Sequence, residues 1–200
     1  MSTVIEIFPW NEVFSTGIEK VDAQHRILVG LLNELVSHLT YGTEVSGVDS
    51  VFNRLARYAV EHFASEQELW DSTFGDDVWA SGHRTIHTSF VSQVLEMKAN
   101  ATAKPTDEVI DTIITFLMHW LALHIIDTDK RMALAVLAIQ SGATLAKAKE
   151  RADAAMAGSA RPVIETVMAM YDSLAGRTVQ LAREVGRRTE TERKLKNALA

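Results

Sequence analysis

The histidines set the terms for what this chain can fold into. His25, His62, His83, His87 and His124 each fall in a stretch whose apolar residues recur with a helical period, and Glu66 and Asp129 stand close behind two of them. His62 and Glu66 are four positions apart, as are His83 and His87, so each pair projects from one face of its helix. Either pair alone is a spacing that amphipathic helices produce often by chance. The set is informative because four helical segments contribute to it, and a four-helix bundle is an architecture that gathers inward-facing carboxylates and imidazoles into two-metal sites.

Ligand chemistry narrows the metal. Five imidazoles and two carboxylates are the inventory of a non-haem di-iron site: imidazole suits iron, and carboxylates bridge hard cations. The chain has no cysteine, which excludes a thiolate zinc or iron–sulfur site.

At these residues the chain resembles the bacterial hemerythrin family. The likeness runs through Phe8-Pro9-Trp10, Gly17-Ile18, Asp22-Ala23-Gln24-His25, His62-Phe63-Ala64-Ser65-Glu66, His83-Arg84-Thr85-Ile86-His87 and the segment from Trp120 through His124-Ile125-Ile126-Asp127-Thr128-Asp129. The resemblance implies two iron ions, with His83, His87 and His124 on one, His25 and His62 on the other, and Glu66 and Asp129 bridging. On an ideal helix Asp127, three residues after His124, points closer to the imidazole's direction than Asp129 does. Spacing favours Asp127; the family pattern selects Asp129. The resemblance further implies that dioxygen meets the iron with fewer protein ligands, inside an apolar pocket for which Leu28, Leu121 and Ile125 are the wall candidates.

Composition bounds the rest. An apolar fraction of 47% over 200 residues is enough for a sizeable core. A net charge of −6 argues against a nucleic-acid binder, and the basic residues of the last third are interleaved with acidic ones. The N-terminus lacks a basic region followed by an apolar one, and the longest apolar run, Met132 to Ile139, is too short to span a bilayer. With no cysteines, a cytoplasmic location is expected and no membrane partner.

Along the chain, residues 1–17 read as an arm whose Phe8 and Trp10 pack onto the bundle. Helices are expected from Ile18 to Leu39, ending near Tyr41-Gly42; from Val48 to Ser72, stopping at Phe74-Gly75; and from Ser81 to Ala99. A fourth starts after Pro105 and continues through Arg131-Met132 to Ile139, with a break at Ser141-Gly142. Another runs from Ala143 to Ala157, before a turn at Gly158 to Pro162. Beyond it a seven-residue pattern places Ile164, Tyr171, Thr178, Val185, Glu192 and Leu199 on one seam position and Val167, Leu174, Leu181, Arg188 and Leu195 on the other, an imperfect coiled coil. The chain ends inside this pattern and looks cut. The segment is similar to the helical connectors that precede diguanylate cyclase domains.

The reading is therefore all-α: an up-and-down, hemerythrin-like four-helix bundle over 1–138 and a helical, partly coiled-coil connector over 139–200. The expected role is a non-catalytic oxygen or redox sensor, responding to dioxygen or nitric oxide, homodimeric through its C-terminal helices, and regulating an output domain absent from this chain, in cyclic-di-GMP signalling. A free oxygen carrier or store is the first alternative, a di-iron peroxidase or oxidase the second. His38 and His119 are read as bystanders, and Trp70, Trp79 and Trp120 as packing residues.

Overall fold

The computed structural model of the chain describes residues 8–40, 45–99, 106–157 and shorter stretches between 169 and 199; the side chains of 38–40, 45–49, 98 and 106–111 fall outside it. Every regular element among the described residues is helical. A 3₁₀ turn, Glu12–Phe14, precedes α1 (Glu19–Thr40), α2 (Val45–Phe74), α3 (Val78–Ala99) and α4 (Thr106–Leu123). A π-helical segment, His124–Asp129, then leads into α5 (Lys130–Gln140), and α6 (Leu145–Ala157) follows.

The bundle closes because each helix carries one apolar stripe. On α1, Val21, Leu28, Leu32 and Leu35 are buried at helical spacing, and on α2 the stripe is Val51, Leu55, Ala59, Phe63 and Trp70. α1 packs on α2, α2 on α3, α3 on α4, and α4 returns to α1. The buried histidines interrupt these same stripes, so burying the apolar face also brings them inside.

The N-terminal arm is pinned by two side chains. Asn33 accepts from the Phe8 N–H and donates to the Phe8 carbonyl, both at 3.0 Å. Asp22 takes the Ser15 hydroxyl at 2.6 Å and the Thr16 N–H at 2.7 Å. Gly17 holds a positive φ of 83° there, and a Cβ on it would sit 3.3 Å from Leu137 on α5.

Several helix boundaries differ from the sequence expectation, with α2 starting at Val45 rather than Val48 and α6 at Leu145 rather than Ala143. α2 runs on to Phe74, ending where Gly75 has a positive φ of 58°. α3 begins at Val78 rather than Ser81 because the Asp77 carboxylate accepts from the Trp79 N–H at 2.8 Å and caps the earlier turn.

The expected break at Ser141-Gly142 is a tight reversal. Gly142 has φ 92°, its N–H bonds the Ile139 carbonyl, and the Ala143 N–H bonds the Ala138 carbonyl, the pairing that seals a helix end with a left-handed glycine. α6 therefore folds back on α5. Ala133, Ala135 and Val136 join Ala148 and Ala152 in one cluster with Trp70, Phe74, Ala80 and Met132, uniting residues on both sides of position 139. Lys149 adds a bidentate pair to Asp77, at 2.7 and 2.9 Å, and lies over the Trp79 ring.

Of the seam positions, Leu181, Val185, Leu195 and Leu199 are exposed on the single chain. The expected turns at Tyr41-Gly42, Pro105 and Gly158 to Pro162, and the seam residues Ile164, Val167, Tyr171, Leu174 and Thr178, lie outside the described residues.

Candidate metal centre

Three helices and the π segment deliver seven side chains to one buried spot. His25 comes from α1, His62 and Glu66 from α2, His83 and His87 from α3, and His124 and Asp129 from the π segment. None is more than 6% exposed.

The π segment settles the direction of the last carboxylate. Leu123 before it (φ −63°, ψ −42°) and Lys130 after it (φ −61°, ψ −40°) are both ordinary α, so one continuous helix carries a local widening. A π turn closes hydrogen bonds between residues five apart rather than four, which brings residues at that separation onto a common face. His124 and Asp129 are five apart, and Asp129 Oδ1 lies 3.2 Å from His124 Nε2. Asp127, which ideal α spacing favours, is turned outward to an ion pair with Arg131 at 2.9 Å.

Both carboxylates are two-sided. Glu66 Oε1 lies 3.5 Å from His25 Nε2, while its Oε2 lies 3.5 Å from His87 Nε2, 3.8 Å from His83 Nε2 and 4.0 Å from His124 Nε2. Oε2 is also 3.5 Å from His62 Nε2. Asp129 turns Oδ2 to His25 at 3.3 Å and Oδ1 to His83 at 2.8 Å. Two groups of donor atoms result, Glu66 with His83, His87 and His124, and Glu66 with His25 and His62, each within 4.8 Å of one another.

Burial keeps three of the imidazoles, His62, His87 and His124, in the neutral form a cation requires. Burial lowers His62 to about 4 and His124 to about 4. His87 falls to about 3 through burial and the neighbouring His83. Burial alone would lower His25 too, but the adjacent Asp129 and Glu66 carboxylates outweigh it and raise that imidazole to about 9, so taking up a cation would release its proton. Burial pushes the Asp129 carboxyl up, yet His124, His25 and His83 together hold it well below the ordinary carboxylate range.

These residues fit a metal on a further count. His25 Nε2, His62 Nε2, both Glu66 oxygens and Asp129 Oδ2 are buried without a hydrogen-bond partner, although burying such atoms unpaired costs roughly 1–3 kcal/mol each. Five orphaned atoms directed at one another are destabilising unless a cation satisfies them together.

Aromatic rings hold the imidazoles in place. Phe63 stacks on His87 with centroids 3.8 Å apart, and Trp120 on His124 at 4.2 Å. Trp70 meets His83 edge-on at 5.8 Å. Gln24 Oε1 lies 3.3 Å from His62 Nδ1, which orients the ring and directs Nε2 inward. Gln24 and Phe63 went unassigned in the sequence, where their only signal is adjacency to a histidine.

An apolar cavity of about 330 Å³ adjoins the centre, with Leu28, Leu121, Phe63 and Trp120 in its wall. Ile125 is fully buried in the bundle core but does not line it. His119 is exposed, and the His38 side chain lies outside the described residues.

Residues 16–135 match the family model described as the hemerythrin HHE cation binding domain. The chain is 28% identical to a bacteriohemerythrin of Stenotrophomonas maltophilia over 124 residues, 62% of this chain and 78% of the relative. It is 26% identical to a bacteriohemerythrin of Clostridium acetobutylicum over 127 residues, 62% of this chain and 97% of the relative. A hemerythrin-like protein of Naegleria gruberi is 26% identical over 130 residues, covering 65% and 94%. The matched stretch contains α1 to α4 and the π segment with all seven converging side chains, and on that match the chain belongs to the hemerythrin family.

Proposed function

We propose that this chain is the oxygen-binding part of a sensor, with His83, His87 and His124 holding one iron, His25 and His62 the other, and Glu66 and Asp129 bridging. The observation that carries the reading is the two-sided disposition of the carboxylates, each offering one oxygen to His25 and the other to the three-histidine group. When bound, two ferrous ions supply the two electrons with which dioxygen is held reversibly.

The side chains do the rest. His25 and His62 leave one metal position with fewer protein ligands, where dioxygen or another diatomic such as nitric oxide gains access. Leu28 and Leu121 present hydrocarbon beside it and exclude water, with Ile125 buried behind them. No helix among the described residues is long and apolar enough to cross a membrane, and we assign the protein to the cytoplasm.

Sensing rather than storage is supported by the continuity of the chain from the centre. His124 and Asp129 stand at the two ends of the π segment that opens directly into α5, which packs on α6. Trp70 touches His83 and shares a cluster with Ala148 and Ala152 of α6. A ligand shifts a conformational equilibrium only by its differential affinity for two states, and these contacts give the centre two routes to the connector. The exposed Leu181, Val185, Leu195 and Leu199 fit a homodimer seam, beyond which a cyclic-di-GMP output domain would respond.

Metal analysis and spin-label distances test this reading. Protein reconstituted anaerobically with ferrous iron should retain about two iron ions per chain; iron near zero overturns it. A spin-labelled cysteine at the exposed Arg177 should give different interchain distances in the diferrous and diferric forms. Identical distributions would leave an oxygen binder with a passive tail.

A further inference from the structure

The cavity beside the centre is larger than its assigned ligand needs. At about 330 Å³ it matches the lower end of small-molecule sites, whereas an apolar cavity of about 150 Å³ already accommodates benzene. A diatomic gas fills a small fraction of it. All four bundle helices contribute to the wall, and Asn53 is the one polar residue among those that line it.

The cavity has a mouth and a floor. Val60 on α2 and Leu95 on α3 line it while remaining 57% and 61% exposed, so it opens between those helices. At the other end are Phe63 and Trp120, the two rings that stack on His87 and His124.

We propose that this cavity binds an uncharged apolar small molecule, a compact aromatic or a short alkyl chain, which presses on Phe63 and Trp120 and thereby tunes the metal centre. A charged or strongly polar ligand would lose its hydration against hydrocarbon walls that offer, beyond Asn53, no polar partner in return. A docked peptide would meet the same penalty through its backbone amides. The walls instead reward apolar volume, since a void forfeits the dispersion contacts its lining side chains would otherwise make. The binding itself stands on the cavity alone; the tuning rests on the di-iron reading.

The test uses 1-aminoanthracene, whose fluorescence rises in apolar surroundings, titrated into the full chain with and without iron. Saturable one-site binding, displaced by toluene or by heptane, is expected, and whichever displaces it at lower concentration identifies the ligand as aromatic or alkyl. Ala59→Phe fills the interior and Ala56→Trp, at an exposed lining position, obstructs the mouth. Each should weaken binding about tenfold or more while helical circular dichroism and iron content stay at wild-type levels. In the iron-loaded protein, saturating toluene should change the rate at which the ferrous form oxidises in air.

Absence of saturable binding overturns the proposal, as does binding that neither hydrocarbon displaces or that survives in both variants. An unchanged oxidation rate with the cavity filled overturns the tuning. Iron measured on the same samples separates the two readings: probe binding without retained iron retires the di-iron centre and leaves the cavity site standing, whereas retained iron without probe binding does the reverse.

Discussion

The centre lies between two apolar regions of opposite packing. Toward α2 and α3, large rings and branched aliphatics surround a cavity of about 330 Å³. Toward α5 and α6, alanines at 133, 135, 148 and 152 are all essentially inaccessible and bring the helices close. Apolar content is therefore a poor guide to what a region does. Loose packing admits a guest, whereas close packing is stiff and passes a displacement from one helix to the next. His87 and His124 touch the loose side through Phe63 and Trp120; His83 touches the dense side through Trp70.

The largest effect is expected where the two regions meet. Glu66 belongs to both donor groups, so Glu66→Ala should drop retained iron below about one ion per chain, measured by metal analysis, with helical content preserved. Ala at the exposed His119 should leave iron unchanged; equal losses would remove the distinction between donors and bystanders.

Leu121→Ala enlarges the loose side. It should cost roughly 2–5 kcal/mol in denaturant unfolding and speed oxidation of the oxygen adduct with iron content intact. An unchanged oxidation rate would place Leu121 away from the bound oxygen.

Adding the same atoms on both sides tests the contrast directly. Ala152→Leu inserts volume where none is free and should destabilise by about 1–3 kcal/mol, while Ala59→Leu points into the cavity and should stay within about 1 kcal/mol of wild type. Equal costs would contradict the asymmetry.

The smallest effect concerns the arm that presses Gly17 toward Leu137. Burial raises the Asp22 carboxyl, but hydrogen bonds from Ser15, Thr16 and Gly17 outweigh it and hold it below its ordinary value of 3.8. Its contribution is thus present above that value and is lost as pH falls through the lower folded one. Asp22→Asn should flatten this part of the acid unfolding curve. In wild type at that pH, amide exchange should quicken in α5 before it does around the cavity.

Most of the bundle was legible because its signals are local. Helical spacing marked the stripes of α1 and α2, and Gly142 marked the break after α5. Asp77 as a cap was legible in principle, since an Asp just before an apolar run is a start signal, but Ser81 competed with it. Gln24 was not, because its contact with His62 crosses from one helix to another.

The sequence by itself determined that the chain is a set of amphipathic helices with imidazoles and carboxylates on their apolar faces, since periodicity and ligand chemistry are properties of neighbours along the chain. The family pattern selects Asp129 over the Asp127 that helix spacing favours, and the tertiary structure adds the geometry, with Asp129 turned toward His124 and Asp127 outward to Arg131. The widened π turn that directs Asp129 inward exists where the helix carrying His124 must meet groups on three others. The cavity and the return of α6 onto α5 were decided the same way, by distances between helix surfaces that no local pattern encodes.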